Sequence, residues 1–287
     1  MSYFNNFKLN DSAVILSPAY GTGTVLKGRD AAEDVLQAIQ TGFRHIDCIS
    51  SAQFYENEES VGKGIKDSGV PREDLYITTK YAIEDIRETF RNSLLSVRHY
   101  LEVGYVDLFL IHSAKYAQPH GLKESWNVLE GLKDSGKIRS IGVSNYRVDD
   151  LKQFVDTAKY KPAVNQIEFH PFVYGKAKEL LSYCQSKGIL VASYGGLSPI
   201  TKIRHEDFDD LLNKLSQKYN LSHQALLYNW ARAHNVMVVT TSSKAERLEE
   251  IKSLSGTKLD QEDVEELDRI GEKYHHRYYM SFMDEKE

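Results

Sequence analysis

Short apolar segments recur along the chain with helical patterns between them, and this alternation leaves few folds open. Several of the segments are apolar on both faces, as buried parallel strands are. They lie near residues 18–21, 44–48, 75–80, 106–112, 138–144, 163–169, 189–195 and 236–241. Eight strand–helix units close into a barrel with right-handed crossovers. We therefore expect an α/β protein, a (β/α)8 TIM barrel, with residues 1–287 forming a single domain.

Apolar residues between these strands repeat at the spacing of helices that bury one face. Two such stripes are Phe90, Leu94, Val97 and Leu101, and then Leu122, Trp126 and Leu129. Two more helices, one marked by Phe208, Leu211, Leu212, Leu215 and Tyr219 and one near 221–233, separate the last two strands. This predicts an insertion there. An open doubly wound sheet is the alternative fold, but residues 21–24 lack the third glycine of its nucleotide-binding fingerprint.

Length and composition point to an ordinary globular protein. The 287 residues exceed the roughly 250 that a single α/β barrel commonly needs. A formal net charge of −5 gives no electrostatic signature of nucleic-acid binding. The two cysteines are too few for a disulfide framework, and no apolar run approaches membrane-helix length. We expect a soluble, cytoplasmic protein, able to diffuse into the nucleus, with no nucleic-acid or membrane partner.

Polar residues close three successive strands. They are Asp47, Lys80 and His112. Strand ends of a parallel barrel converge on one face, so these side chains should share a pocket. Tyr55 follows the first of these strands. The sequence therefore predicts a catalytic site at this face.

These four residue types form a consistent acid catalyst. A tyrosine has an ordinary pKa near 10, so Tyr55 would need a cation such as Lys80 to donate a proton at neutral pH. Asp47 would hold that lysine charged, and His112 could donate a hydrogen bond to a substrate carbonyl. A structural Lys–Asp pair with packed Tyr and His residues is the simpler alternative. A Schiff-base lysine, as in aldolases, is a third interpretation.

The chain resembles the aldo-keto reductase superfamily in several motifs that occur in the family's order. They run from Gly42 to Asp47, Tyr55 to Glu58 with Val61 and Gly62, Thr78 to Lys80, Val106 to His112, Gly136 to Tyr146 and Val164 to Pro171. The resemblance implies a barrel that binds NAD(P)H and reduces carbonyl compounds. It also implies that Tyr55 is the general acid, that Lys80 and Asp47 adjust its pKa, and that His112 orients the carbonyl.

The resemblance further assigns the cofactor contacts. Ser144, Asn145 and Gln166 would hold the nicotinamide carboxamide beside Asp47, and Tyr194 would stack on the ring. Gly23 and Thr24 would border the cofactor. The adenosine phosphate would lie against Ser242, Ser243, Lys244 and Arg247, with Glu250 as the acid that follows in the family pattern. Arginine and lysine near serine hydroxyls suit a 2′-phosphate, so NADPH is the expected cofactor and NADH an alternative one.

Several positions depart from the family pattern. Three extra residues separate Asp47 from Tyr55, and Thr241 replaces a lysine at the phosphate site. Asn57 is expected to cap the helix that follows Tyr55. The site needs no metal, because a lysine would repel a cation. The phosphate motif resembles that of fungal members that reduce α-keto amides, dicarbonyls or aldehydes.

The resulting hypothesis is a monomeric NADPH-dependent carbonyl reductase whose partner is a small carbonyl substrate. The alternative within the same superfamily is a cofactor-binding regulatory subunit of a channel, with slow turnover. Which carbonyl compound is reduced depends on loops that diverge among barrels of this kind.

Overall fold

The computed structural model describes residues 6–23, 26, 28–48, 57–82, 105–117, 120–253 and 257–285. It contains a two-stranded hairpin and a closed barrel of eight parallel strands. The strands are β1 (Phe7–Lys8), β2 (Val14–Ile15), β3 (Ala19–Gly21), β4 (His45–Asp47), β5 (Tyr76–Tyr81), β6 (Val106–Ile111), β7 (Ile138–Ser144), β8 (Val164–Glu168), β9 (Leu190–Tyr194) and β10 (Met237–Thr240). The predicted (β/α)8 barrel is thereby confirmed.

Helices follow the barrel strands. They are α1 (Ala32–Thr41), α2 (Glu58–Asp67), α3 (Ala114–Ala117), α4 (Leu122–Asp134), α5 (Val148–Lys152), α6 (Pro171–Lys187), α7 (Ser198–Thr201), α8 (Glu206–Tyr219), α9 (His223–Ala233), α10 (Ala245–Ser253) and α11 (Gln261–Lys273). Short 3-10 turns cover Arg72–Asp74 and Ser281–Asp284. Within the described ranges, every helix is too short or too polar to traverse a bilayer.

Strand order in the barrel follows the chain, and β10 closes the ring against β3. All eight pairings are parallel, as with Asp47 opposite Thr78 and Ser144 opposite Gln166. The insertion between β9 and β10 is present as α7 and α8, which precede α9. The predicted helix at residues 90–101 lies outside the described residues.

The helices pack on the barrel through the apolar stripes seen in the sequence. In α4, Leu122, Trp126 and Leu129 are all buried, and the indole of Trp126 donates a hydrogen bond to the carbonyl of Tyr160 at 2.9 Å. Helix α1 buries one face in the same way and ends at Gly42, whose φ of 112° is in the left-handed region that favours glycine. The burial of these faces explains why the elements form where the apolar spacing predicts them.

The hairpin of β1 and β2 covers the barrel end where the strands begin. Ile15 is fully buried there in a cluster with residues that begin the barrel strands, including Ala19, Tyr76 and Val164. The carboxylate of Asp11 accepts hydrogen bonds from Lys133 and Ser140, both at 2.8 Å. The hairpin therefore closes this end, and Asp47, Lys80 and His112, the residues predicted to be catalytic, lie at the opposite end.

Candidate active site

A cavity of about 400 Å³ opens at the carboxyl ends of the barrel strands. Its wall is formed by Gly21, Gly23, Asp47, Lys80, His112, Gln166, residues 194–198, Thr201, Lys202, Tyr228, residues 239–241, Arg247, Tyr279 and Met280. The cavity runs from Lys80 and His112 to Arg247, beside the last strand. One continuous site therefore contains residues from distant parts of the chain.

Asp47 and Lys80 form a buried ion pair at the ends of β4 and β5. The side chain of Asp47 is 2% exposed and that of Lys80 is 5% exposed. The second carboxylate oxygen, Oδ2 of Asp47, accepts a hydrogen bond from the side-chain amide of Gln166 at 2.5 Å. A buried pair of this kind fixes a positive charge at the cavity wall, because neither partner can leave the other without a large desolvation cost.

His112 follows β6 and lies beside this pair in the cavity wall. Its backbone N–H donates to the carbonyl of Tyr81 at 2.8 Å, which continues the pairing of the strands. Burial, assisted by the nearby charge of Lys80, lowers the pKa of His112 to about 3. The imidazole is therefore neutral at physiological pH, and a neutral imidazole has one N–H to donate.

Four residues predicted to contact the nicotinamide form one hydrogen-bonded network. Ser144 donates to the carbonyl of Gln166 at 2.7 Å, and the Asn145 amide donates to the carbonyl of His112 at 2.9 Å. The Tyr194 hydroxyl donates to Oδ1 of Asn145 at 2.7 Å. Gln166 and Tyr194 line the cavity, whereas Ser144 and Asn145 are fully buried behind its wall. The network fixes the two residues that face the cavity.

The far end of the cavity contains the predicted phosphate-binding residues. Thr241 and Arg247 line the wall, and Arg247 is solvent-exposed. Ser242 and Lys244 belong to the turn before α10, where the Lys244 N–H donates to the Ser242 hydroxyl at 3.0 Å. Ser243 is exposed in that turn and Glu250 is half-buried on α10. A cation with adjacent hydroxyl groups is suited to bind a phosphate.

Two of the predicted site residues, Tyr55 and Thr24, lie outside the described residues. The expected cap is wrong: Asn57 does occupy the position before α2, but its side chain makes no capping hydrogen bond. Its amide instead donates to the carbonyls of Thr22 and Leu26 at 3.0 and 3.1 Å. These two hydrogen bonds hold the start of α2 against the loop after β3.

Several cavity residues were not anticipated from the sequence. Lys202 comes from the insertion, Tyr228 from α9, and Tyr279 and Met280 from the segment after α11. The signal that the sequence offered here was the pair of adjacent tyrosines at 278 and 279. No group of three or more His, Cys, Asp or Glu residues suited to a metal occurs in the part of the chain that the structure describes.

Comparison with known proteins agrees with this geometry. The model of the aldo/keto reductase family matches residues 19–272. An NAD/NADP-dependent indole-3-acetaldehyde reductase of Schizosaccharomyces pombe is 40% identical over 279 residues, which are 93% of this chain and 96% of that protein. A glyoxal reductase of Bacillus subtilis is 37% identical over 258 residues, 88% of each chain.

A solved structure is similar in the same way. A Bombyx mori aldo-keto reductase in complex with NADP superimposes with a TM-score of 0.83 at 27% identity, covering 98% of this chain and 96% of that one. The family match covers all eight strands of the barrel, and the two relatives above are named as reductases of carbonyl compounds. The chain belongs to the aldo/keto reductase family of oxidoreductases that act on carbonyl groups.

Proposed function

We propose that this protein is an NADPH-dependent carbonyl reductase in which Tyr55 is the general acid. The observation that carries the proposal is the buried Asp47–Lys80 pair, which lies beside a neutral His112 in a cavity that continues to Arg247. This arrangement places a buried ammonium, a neutral hydrogen-bond donor and a cation suited to bind a phosphate along one cavity. Carbonyl reduction requires a proton, an oriented oxygen and a bound dinucleotide.

The residues present fit a nicotinamide dinucleotide. The flat face of Tyr194 and the amide of Gln166 lie at one end of the cavity, and Arg247 and Thr241 lie at the other. When bound, the cofactor supplies the hydride that adds to the carbonyl carbon. Gln166 would hold the carboxamide while its own amide stays on Asp47. The 2′-phosphate of NADPH would pair with Arg247.

The proton then comes from the protein. Lys80 favours the phenolate that Tyr55 leaves behind, because an adjacent ammonium stabilises an anion in a buried site. Asp47 keeps that ammonium in place through its ion pair. His112 donates a hydrogen bond to the carbonyl oxygen, which orients the substrate and stabilises the charge that develops on it.

The substrate class we propose is small aldehydes, dicarbonyls or α-keto amides. An NADPH-dependent alpha-keto amide reductase of Saccharomyces cerevisiae is 33% identical over 248 residues, 83% of this chain and 78% of that protein. Together with the indole-3-acetaldehyde and glyoxal reductases, this relative supports carbonyl compounds with an adjacent polar or aromatic group. The indole-3-acetaldehyde reductase is named as NAD/NADP-dependent, which supports NADH as a second cofactor.

The two alternatives have less support. An aldolase requires a neutral lysine, whereas Lys80 is held by a buried carboxylate that favours the ammonium. The relatives named above are reductases, which gives no support to a regulatory channel subunit. The family match and these relatives show an enzyme, an oxidoreductase that acts on carbonyl groups.

The test is oxidation of NADPH, and separately of NADH, by the purified protein with a panel of aldehydes, 1,2-diketones and α-keto amides. Tyr55→Phe is the variant and Tyr105→Phe, outside the cavity wall, is its matched control. We expect turnover with NADPH that Tyr55→Phe lowers by about a hundredfold or more, as for loss of a general acid. Tight NADPH binding without turnover would favour the regulatory role, and borohydride-trapped substrate on Lys80 would favour the aldolase.

A further inference from the structure

The carboxylate of Glu168 is fully buried at the end of β8 and binds a segment more than a hundred residues away. Its Oε1 accepts the backbone N–H of Tyr278 at 2.9 Å, and its Oε2 accepts the backbone N–H of Tyr279 at 2.8 Å. These residues belong to the stretch 277–280, here called the C-terminal segment. A buried carboxylate is costly unless it is hydrogen-bonded, so these contacts explain why Glu168 is tolerated there.

Further contacts secure the same carboxylate and segment. Nε2 of His170 lies 3.0 Å from Oε1, and burial lowers the pKa of His170, so its ring is neutral and can donate there. The guanidinium of Arg277 lies 3.9 Å from Oε2. Nε of Arg277 also donates to Asp284 at 2.9 Å. The C-terminal segment is thus held by Glu168 at the end of β8 and by Asp284, which follows the segment in the chain.

The segment forms part of the cavity wall. Tyr279 and Met280 line the cavity, whereas Glu168 does not. A Cβ atom built on Gly195 would lie 3.3 Å from the Tyr279 ring and 3.4 Å from Cγ of Glu168. Lys202, another cavity residue, places its ammonium 5.1 Å from the centre of the Tyr278 ring. The segment therefore packs directly on the loop after β9, which also lines the cavity.

We infer that Glu168 is a positioning residue: by holding the backbone of Tyr278 and Tyr279, it seats the C-terminal segment as a wall of the cavity. Glu168 does not line the cavity, so its effect on the cavity is transmitted through the C-terminal segment. The inference rests on the proposed function only for the identity of the molecule that the wall encloses. It deepens that function by naming the residue that holds one wall of the site in place.

Tryptic cleavage after Arg277 reports whether the segment is seated. The Arg277 side chain is 5% exposed, so a protease reaches this bond only when the segment leaves Glu168. In Glu168→Gln, one backbone N–H faces an amide NH2 instead of an oxygen, and in Glu168→Ala both lose their acceptor. We expect cleavage after Arg277, followed by mass spectrometry, to be about tenfold faster in the first variant and faster still in the second.

Ligand-binding measurements distinguish a Glu168 that positions the cavity wall from a Glu168 that only stabilises the fold. Saturating NADP+ should slow cleavage after Arg277 in the wild-type protein, because the ligand contacts the seated wall. The Glu168 variants should bind NADP+ and substrate several times more weakly, with kcat changed less than KM. Lys178→Gln, which removes an exposed ion pair to Glu272, is the matched control and should change neither quantity.

Equal cleavage rates in wild type and Glu168→Gln would overturn the inference, as would faster cleavage with unchanged NADP+ affinity and KM. If the Gln and Ala variants do not fold, Glu168→Asp takes their place, since it keeps the buried charge but its shorter side chain cannot reach both backbone N–H groups. Unchanged cleavage and affinity in that variant would equally overturn it. If NADP+ does not bind at all, the proposed function fails, while the cleavage rates still decide whether Glu168 seats the segment.

Discussion

The side-chain amide of Gln166 reaches Asp47 at 2.5 Å from a strand that is not its neighbour in the barrel. Strand β8 lies across the mouth of the barrel from β4, so this hydrogen bond spans the site. Asp47 therefore binds two partners at once, the ammonium of Lys80 and the amide of Gln166. The lysine proposed to adjust the pKa of Tyr55 and the proposed carboxamide contact are therefore connected through a single carboxylate.

Replacing Asp47 by Asn should damage both activity and stability. The ammonium of Lys80 would remain buried without a counter-charge, and breaking one side of a buried pair costs about 3 kcal/mol or more. We expect the free energy of unfolding in urea to fall by that amount and kcat to fall by about a hundredfold.

The matched control for Asp47 is the exposed pair of Lys63 and Asp67, which are 2.8 Å apart on α2. Lys63→Gln should leave activity and unfolding unchanged, because solvent screens an exposed pair. An Asp47→Asn protein as stable and active as the wild type would show that the buried charge contributes little.

Gly271 and Gly131 lie in helices and should respond to alanine in opposite ways. A Cβ at Gly271 would lie 2.2 Å from the backbone oxygen of Pro171, where α11 crosses the start of α6, so the two helices would have to separate. A Cβ at Gly131 would meet nothing within 4 Å. Gly271→Ala should lower the free energy of unfolding by about 2 kcal/mol or more, and Gly131→Ala should raise it by about 0.5–1 kcal/mol.

Urea unfolding of the two glycine variants checks this difference. Equal destabilisation by both substitutions would mean that the contact between α11 and α6 does not limit the spacing of these helices.

Three buried histidines should make the folded protein less stable in mild acid. Burial lowers the pKa of His112 to about 3 and that of His45 to about 4, and it also lowers the pKa of His170. The unfolded chain, with an ordinary histidine pKa near 6.5, therefore binds more protons between these values. Stability should be constant above about pH 6.5 and fall as the pH drops through 6 and 5 toward 4.

The pH effect is measured by urea unfolding at pH 7.5, 6 and 5. His45→Gln should flatten the dependence, because glutamine does not titrate. A free energy of unfolding that stays constant from pH 7.5 to 5 would contradict the burial of these rings as neutral groups.

Arg247 should decide the preference between the two nicotinamide cofactors. Arg247→Met removes the cation at the far end of the cavity, so NADPH should bind about tenfold or more weakly while NADH binding is unchanged. Fluorescence titration with each cofactor measures the ratio. Arg269→Met, on the outer face of α11, is the control and should leave both affinities unchanged. Equal losses for NADPH and NADH would place the 2′-phosphate elsewhere.

Local sequence patterns were sufficient to predict the barrel. In runs such as Val106–Ile111 every residue except Asp107 is apolar, and only a strand covered on both sides can bury such a run. Polar residues that close these runs, such as Lys80 and His112, then meet at one end for geometrical reasons alone. That part of the site is a consequence of strand order, which is why it could be predicted.

Long-range partners could not be predicted in the same way. Asn57 has the residue type and position of a helix cap, yet two carbonyls of a distant loop compete for its amide. Glu168 lies inside a family motif, but its partners at 278 and 279 follow more than a hundred residues later. Local propensity says nothing about such competition, because the energies of the two arrangements differ only once the chain has folded.

The hairpin of β1 and β2 and the C-terminal segment cover opposite ends of the barrel. Ile15 seals the end where the strands begin, whereas Tyr279 and Met280 stand at the open cavity. A reporter dye attached to the hairpin would therefore sense global unfolding and remain silent to ligands, and one attached beside Tyr278 would report occupancy of the cavity. The same molecule thus offers two independent optical probes, one for folding and one for binding.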